Sequence, residues 1–198
     1  MQDMTYEIEF VPVDTTQQKV VYEDHSVTVE TVPLRHRVPC CGYIFREKPT
    51  LPHIRRDMID YYGIPLSQIN NIKNGADWTT PEGDIVPNSR LVEPADAPRS
   101  YAYCSDTCYL PDLYERVKDV TVLYHESTYT SENEDRAKIY YHSTARQAAL
   151  VAQKAGAGRL LLGHYSARYN NENVLLEEAK AVFPESYLAQ EGMVFEVK

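Results

Sequence analysis

The chain has few of the features that mark secreted or membrane-embedded proteins. Among its 198 residues are only four cysteines and one tryptophan. No apolar run approaches the length of about 20 residues that a membrane-spanning helix needs. Residues 1–10 have neither a basic start nor an apolar core, so we expect no secretory signal there. The length predicts one domain, with room for an appendage.

Positive charge is also scarce, because 20 Lys and Arg face 29 Asp and Glu for a formal net charge of −9. This balance excludes a nonspecific basic coat for nucleic acid, which depends on many cations. It leaves open local recognition of phosphate through metal ions or a few cations. The 12 prolines are spread along the chain rather than concentrated, so the composition is not that of a disordered tract.

The cysteines occur as Cys40-Cys41 and as the pair Cys104 and Cys108. Vicinal cysteines rarely pair, and three intervening residues are not a zinc-knuckle spacing. The pattern favours reduced, semi-buried thiols in a cytosolic protein. A thiolate zinc site completed by a histidine stays open as the less favoured alternative.

The first quarter of the chain alternates apolar and polar residues with a period of two, which is typical of strands. We expect a partly antiparallel meander there. The predicted strands are Thr5–Pro12, Lys19–Tyr22, Ser26–Val32 and Tyr43–Phe45.

Residues 47–100 differ in kind, because they hold most of the prolines and the single tryptophan, Trp78. One short helix is predicted at Ile54–Tyr62, ended by Gly63 and Pro65. The remainder has turn chemistry and too little periodicity to fill a core. We interpret it as a functional insertion that projects from the domain.

From Tyr101 onward the pattern becomes regular α/β. We expect the alanine-rich helix to begin at a Ser143 or Thr144 cap and to end at Gly156. The predicted strands are Tyr101–Cys104, Val120–Tyr124, Arg159–Leu162, Tyr187–Ala189 and Met193–Val197, and the predicted helices are Pro111–Lys118, Thr144–Ala155 and Asn173–Phe183.

Polar side chains follow three of these strands where each one ends, and others precede the alanine-rich helix or follow an early strand. Open α/β sheets place ligands at the carboxyl edge, so we expect these side chains to meet there. Imidazoles and carboxylates together suit zinc or manganese. The candidates are His36, Asp106, His125, Glu126, His142 and His164.

Each candidate, taken singly, also has an ordinary structural interpretation. Asp106 could cap the next helix, and His125 and His142 could be satisfied core or turn histidines. Glu126 could be a surface charge. His164 is harder to explain in this way, because an unpartnered ring at the end of a buried strand costs about 1–3 kcal/mol.

Four motifs together resemble the ribonuclease Z family of the metallo-β-lactamase superfamily, whose members process the 3′ ends of tRNA. The motifs are Tyr103-Cys-Ser-Asp-Thr107, His125-Glu-Ser-Thr128, His142-Ser-Thr144 and Gly163-His-Tyr-Ser-Ala-Arg-Tyr169. Pro33-Leu-Arg-His36 resembles the family's preceding motif. Three segments of the insertion resemble the protruding arm that grips tRNA: Gly63-Ile-Pro65, Lys73-Asn-Gly75 and Leu91-Val-Glu-Pro94.

The resemblance implies fold, metal and residue roles. The fold would be an α/β metallo-β-lactamase-type αβ/βα sandwich with residues 47–100 as the inserted tRNA-binding arm. Two divalent metal ions, zinc above all, would be held by His36, Asp106 and His164. His142 and Glu126 would stand at the scissile phosphate as catalytic residues. Substrate contacts would come from Arg55, Arg56, Lys73 and Arg168, although Arg168 could equally form a structural salt bridge.

The chain departs from the family pattern in two places. The family's His-x-His-x-Asp-His motif does not occur, so the resemblance implies the C-terminal part of the fold without its N-terminal half. We therefore expect weak or no metal binding and no cleavage by the isolated chain, and a homodimer that covers the exposed sheet face. The insertion also lacks the family's Gly-Pro turn and carries more acidic than basic residues.

The leading hypothesis is a cytoplasmic endoribonuclease that removes the 3′ trailer of precursor tRNA by dinuclear-metal phosphodiester hydrolysis. One alternative is another phosphodiesterase of the same fold. The other is a non-catalytic RNA-binding or dimerisation fragment.

Overall fold

The computed structural model describes residues 6–198 and divides the chain into two compact units. The larger unit combines the chain before residue 47 with residues 99–198, and the smaller unit is Glu47–Pro98. The strands are β1 (Val20–Glu23), β2 (Val27–Pro33), β3 (Cys41–Glu47), β4 (His53–Ile54), β5 (Trp78–Thr79), β6 (Ile85–Val86), β7 (Val92–Glu93), β8 (Ser100–Cys104), β9 (Val122–Glu126), β10 (Arg159–Gly163) and β11 (Ser186–Leu188). The helices are α1 (Arg56–Tyr62), α2 (Leu66–Lys73), α3 (Asn88–Leu91), α4 (Leu113–Arg116), α5 (Glu134–Tyr140), α6 (Ala145–Ala155) and α7 (Asn173–Lys180), with a 3-10 turn at Ser131–Asn133.

A seven-stranded mixed sheet forms the larger unit, in the order β1-β2-β3-β8-β9-β10-β11. The β1–β2 and β3–β8 pairs are antiparallel, whereas β8, β9, β10 and β11 run parallel. The predicted antiparallel front and parallel α/β continuation are therefore both present. Because these four parallel strands lie side by side, their carboxyl ends meet at one edge of the sheet.

Helices α4, α6 and α7 pack on one face of this sheet and bury a single apolar core. Helix α6 carries the alanine face that the sequence predicted, and its Thr144 cap forms a reciprocal capping box with Gln147. Gly156 ends the helix in the left-handed region at φ 64°. Strands alternate their side chains, so the opposite face presents aromatic residues such as Phe45 and Tyr103.

Two predicted strands are wrong. Residues 6–12 form no strand; residue 5, where that prediction began, lies outside the described residues. Ile8 and Phe10 are exposed. An alternating segment becomes a strand only when it pairs with another backbone, and this segment does not pair with β1, which is the edge strand of the sheet. Residues 193–197 also lack strand structure, and the Arg159 guanidinium instead donates to the carbonyls of Glu196 and Lys198.

The smaller unit has a core of its own, so the expectation that residues 47–100 could not fill one is wrong. Ile64, Ile72, Val86 and Leu91 are buried together, and Trp78 packs against them. The sequence analysis missed helix α2 because eight residues give little periodicity. The predicted helix at Ile54–Tyr62 begins slightly later and ends before Gly63 at φ 58°, as expected.

No helix among residues 6–198 is long and apolar enough to cross a membrane. This finding agrees with the absence of long apolar runs in the sequence.

Gly163 ends β10 beneath the ring of Tyr124, and a Cβ built at this glycine would overlap that ring. We expect Gly163→Ala to destabilise the fold by about 1–3 kcal/mol, because overpacking forces neighbouring atoms apart. Urea denaturation measures this cost. In a Tyr124→Leu background the same substitution should cost much less, since the obstructing ring is gone. An equal cost in both backgrounds would contradict the packing argument.

Candidate metal and catalytic site

Three neighbouring parallel strands carry the predicted side chains to one edge of the sheet. Asp106 follows β8, Glu126 ends β9 and His164 follows β10. The strand register places Cys104 beside His125 and Gly163 beside Glu126, so the three strand ends lie level with one another. The expectation that these side chains meet is therefore supported by the pairing itself.

Four side chains converge into a group that could hold a metal ion. One ligand atom from each of Asp106, Glu126, His142 and His164 lies within 4.8 Å of all the others. The closest approach between two exposed members joins Asp106 Oδ1 to His164 Nε2 at 3.1 Å. Two ligands of a tetrahedral zinc ion are separated by about 3.3 Å, so this pair is suitably spaced for a shared cation.

Backbone strain accompanies this geometry. Asp106 and His164 have φ values of 56° and 57°, in the left-handed region that side chains other than glycine seldom adopt. Both residues directly follow strands, so the unusual turn redirects their side chains as the sheet ends. Such strain persists only where surrounding contacts hold it, and it concentrates at functional sites.

Glu126 is fully buried, and its carboxylate is the hub of the hydrogen bonds in the site. Oε1 accepts from the Thr107 backbone N–H at 2.6 Å, and Oε2 accepts from the Ser143 backbone N–H at 2.9 Å and the Thr128 hydroxyl at 2.6 Å. Burial alone would raise the pKa of this carboxyl, but hydrogen bonds from His142, Thr128 and Ser143 outweigh it and lower the pKa. Both oxygens of Glu126 are thus engaged by donors from the surrounding backbone and side chains.

His142 is held by Glu126 through Nδ1, at 3.1 Å from Oε1 and 3.2 Å from Oε2. The hydrogen bond to Glu126 raises the pKa of His142, and partial burial opposes this effect. Because Nδ1 is engaged, Nε2 is the nitrogen left for other partners. A positioned imidazolium with a free Nε2–H can donate a proton to a departing oxygen.

Thr128 fixes the tautomer of His164. The Thr128 hydroxyl has one proton, which it donates to the Glu126 carboxylate at 2.6 Å or to the His164 carbonyl at 3.0 Å. His164 Nδ1, 2.9 Å from that hydroxyl oxygen, must therefore be the donor. This leaves His164 Nε2 facing Asp106, and hydrogen bonding at the distal nitrogen is the usual arrangement of a metal-ligating histidine. Thr128 belongs to the motif His125-Glu-Ser-Thr128, but the sequence alone predicted no role for it.

His36 stands next to the group without belonging to it. Its ring centroid is 5.1 Å from that of His142, and its Nδ1 lies 3.0 Å from the Tyr141 carbonyl oxygen. The carbonyl accepts from Nδ1, so in the neutral ring Nε2 carries the lone pair. The assignment of His36 as a metal ligand stays a prediction.

His125 lies apart from the group, because neighbouring residues of a strand point to opposite faces. Its ring is completely buried, and burial lowers the pKa of this imidazole. Nδ1 lies 2.8 Å from the Glu126 carbonyl oxygen, whereas Nε2 is buried without a hydrogen-bond partner among the described residues. His125 is therefore a core histidine, but one with a single satisfied ring nitrogen.

The four cations predicted to contact substrate lie in different places. Arg168 is exposed in the loop after β10 and forms no ion pair with any residue between 6 and 198. In the smaller unit, Arg55 lies 3.3 Å from Asp57, Arg56 is exposed at the start of α1, and Lys73 ends α2. Their contacts with substrate stay predictions.

The Glu126–His142 pair makes stability depend on pH. The raised pKa of His142 contributes stability that is complete below its usual value of 6.5 and is lost as pH rises through the raised value. The lowered pKa of Glu126 contributes stability above its usual 4.5, lost as pH falls through the lowered value.

In the variant Glu126→Gln we expect the pKa of His142 to fall towards 6.5 and the loss of stability on the alkaline side to shrink. NMR titration of the imidazole and thermal melts, both with a chelator present, measure these changes. Glu177→Gln, an exposed change on α7, is the matched control. An unchanged His142 pKa in Glu126→Gln would contradict the pairing.

Comparisons with known proteins agree with these observations, although no family model matches the chain. A ribonuclease Z of Bacteroides fragilis (strain YCH46) is 50% identical over 190 residues, which are 96% of this chain and 62% of that protein. A ribonuclease Z of Phocaeicola vulgatus is 48% identical over 195 residues, 98% of this chain and 63% of the relative. The chain thus spans somewhat less than two thirds of the length of these relatives.

Two solved structures share the fold. The metallo-β-lactamase fold protein YhfI from Bacillus subtilis has a TM-score of 0.59 at 18% identity, over 94% of this chain and 55% of that one. Human tRNase Z, short form, has a TM-score of 0.52 at 20% identity, over 93% and 48%. The chain therefore has the metallo-β-lactamase fold. The resemblance to ribonuclease Z that the motifs indicated is confirmed by the relatives at about 50% identity.

Proposed function

We propose that this chain carries part of the active site of an endoribonuclease that removes the 3′ trailer from precursor tRNA. The observation that carries the proposal is the convergence of Asp106 and His164 beside the Glu126–His142 pair. The relatives named ribonuclease Z support the substrate class. Four cysteines free of disulfides suit the reducing cytoplasm, where we place the activity.

Two divalent metal ions, with zinc as the first choice, are part of the proposal. Asp106 has two oxygens and can bridge, His164 presents Nε2 to the same space, and His36 has an Nε2 available beside them. When bound, the metal ions would polarise the scissile phosphate and lower the pKa of water. The donor chemistry of carboxylate and imidazole fits zinc and also manganese or iron.

His142 supplies a proton to the departing 3′-oxygen through Nε2. Glu126 is a positioning residue, because it holds Nδ1 of His142 and raises the pKa of the ring. A general acid of this kind typically contributes a rate factor of about 10²–10⁴. Arg168, exposed after β10, is a candidate contact for a substrate phosphate.

The Glu47–Pro98 unit is proposed to be the arm that binds tRNA. It is a separate compact unit with its own core, which suits a module that carries a binding surface. Arg55, Arg56 and Lys73 lie at helix ends of this unit and would contact phosphates.

Cleavage is tested in a chimaera in which this chain replaces the matched residues of the Bacteroides fragilis ribonuclease Z. We expect the chimaera to release the trailer of precursor tRNA, and His142→Gln to lower the rate constant by about 10²–10⁴. Lys180→Gln, an exposed change on α7, should leave the rate unchanged. A folded chimaera without activity would contradict the proposal.

The isolated chain should bind zinc weakly, since each of two ions would have at most two protein ligands, His36 with Asp106 and Asp106 with His164, whereas a catalytic zinc takes three. Isothermal titration calorimetry measures this affinity, and Asp106→Asn should weaken it further. Two-site binding in the nanomolar range would refute the expectation.

A homodimer is the remaining part of the proposal. Phe45 and Tyr103 lie on neighbouring strands of the face opposite the helices, and each is 41% exposed. Exposed aromatic patches commonly mark interfaces. A second copy of the chain is the proposed occupant.

Sedimentation velocity should find a dimer at micromolar concentration and a monomer for Phe45→Lys, which places a charge in the contact. Tyr61→Lys, at an exposed aromatic residue of the smaller unit, is the matched control and should leave the dimer intact. A monomeric parent chain would contradict the interface.

A further inference from the structure

A cavity of about 440 Å³ lies beside His142, separate from the space between Asp106 and His164. Its lining includes two cations, Arg35 and Lys138, and two tyrosines, Tyr109 and Tyr141. The volume lies in the lower part of the range of about 300–1,000 Å³ found for small-ligand sites. The cavity thus offers room for a ligand of the size of one nucleotide, with His142 as a shared wall.

The two cations of the cavity are available to bind an anion. The Arg35 backbone is fixed, because its N–H donates to Thr107 Oγ1 at 3.2 Å and its carbonyl accepts from the Cys108 N–H at 2.9 Å. Within the described residues, neither the Arg35 nor the Lys138 side chain forms an ion pair with a carboxylate. A bound phosphate would give both side chains an anionic hydrogen-bond partner.

Gln147 and Glu134, two further residues of the lining, are joined by a hydrogen bond. Gln147 Nε2 donates to Glu134 Oε1 at 3.1 Å, and Gln147 Oε1 accepts from the Thr144 backbone N–H at 3.0 Å. Because the amide donor is neutral, Glu134 keeps its negative charge. Arg35 and Lys138 outnumber this one carboxylate in the lining, so the balance of charge still favours an anionic ligand.

Tyr141 occupies a position where the backbone would favour glycine. It follows α5 with φ 63°, a left-handed helix end for which glycine is the usual residue. The backbone carbonyl that contacts His36 Nδ1 would be supplied equally well by glycine. The tyrosine ring is thus retained at a conformational cost, and it lines the cavity.

We propose that this cavity binds the RNA nucleotide next to the scissile phosphate, with its base against Tyr141 and Tyr109 and its phosphate at Arg35 and Lys138. Single-stranded RNA is commonly recognised by stacking bases on aromatic rings and pairing phosphates with cations. The shared wall at His142 places such a nucleotide directly beside the group proposed to donate a proton. The inference rests on the endoribonuclease function proposed above.

The test titrates the 198-residue chain, free of metal, with adenosine 5′-monophosphate and follows backbone NMR shifts. Tyr141→Gly suits the φ value and removes only the ring, so it should weaken binding roughly fivefold or more, while Tyr141→Phe keeps the affinity within about twofold. Lys138→Gln should weaken binding, and Lys180→Gln on α7 is the matched control. Thermal melts of each variant establish that the fold is intact.

Several outcomes would overturn the inference. These are equal affinities of Tyr141→Gly and the parent chain, absence of shifts at cavity residues, or inorganic phosphate binding as tightly as the nucleotide. The titration involves neither metal nor cleavage. It can therefore fail while the chimaera cleaves precursor tRNA, or succeed while the chimaera does not, so the two proposals are tested separately.

Discussion

The buried carboxylate of Glu126 is the constraint on which the site depends. A charge removed from water must be met by donors. Here two of them come from stretches remote in sequence, at Thr107 and Ser143, and a third comes from Thr128, two residues further along the same stretch. Each of these stretches also carries a residue of the group that could hold a metal ion, namely Asp106, Glu126 or His142. Satisfying one buried charge therefore assembles the site, because no stretch can move without leaving an uncompensated carboxylate.

The same carboxylate sets the chemistry of two imidazoles. It holds Nδ1 of His142 directly, and through Thr128 it orients His164 so that Nε2 faces Asp106. The contact with Glu126 raises the pKa of His142 and so favours its cationic form. His164 differs in its contacts, because its Nδ1 lies against a hydroxyl and its Nε2 lies against the exposed carboxylate of Asp106.

Three of the four described non-glycine residues with positive φ lie around the site. Asp106, Tyr141 and His164 all have positive φ, and all three surround the donor group or its neighbouring cavity. Asp119, the other described residue of this kind besides glycines, lies before β9 at the opposite end of that strand. Hydrogen bonds through the rigid strand ends supply the stability that holds these conformations.

The sequence by itself determined the order of elements and the candidates for the site. Period-two alternation, an alanine-rich helical face and polar residues after buried strands are local signals, and they indicated β1, α6 and the edge at which Asp106, Glu126 and His164 meet. It could not find the core of the smaller unit, because strands of two residues and helices of four to eight carry almost no periodicity. Only the tertiary structure decided that the Glu126 carboxylate is the hub of the hydrogen bonds in the site, that Thr128 sets the tautomer of His164 and that His125 belongs to the core. Those roles depend on which atoms become buried together, and the distance between two atoms from remote segments is not encoded in any local pattern of residues.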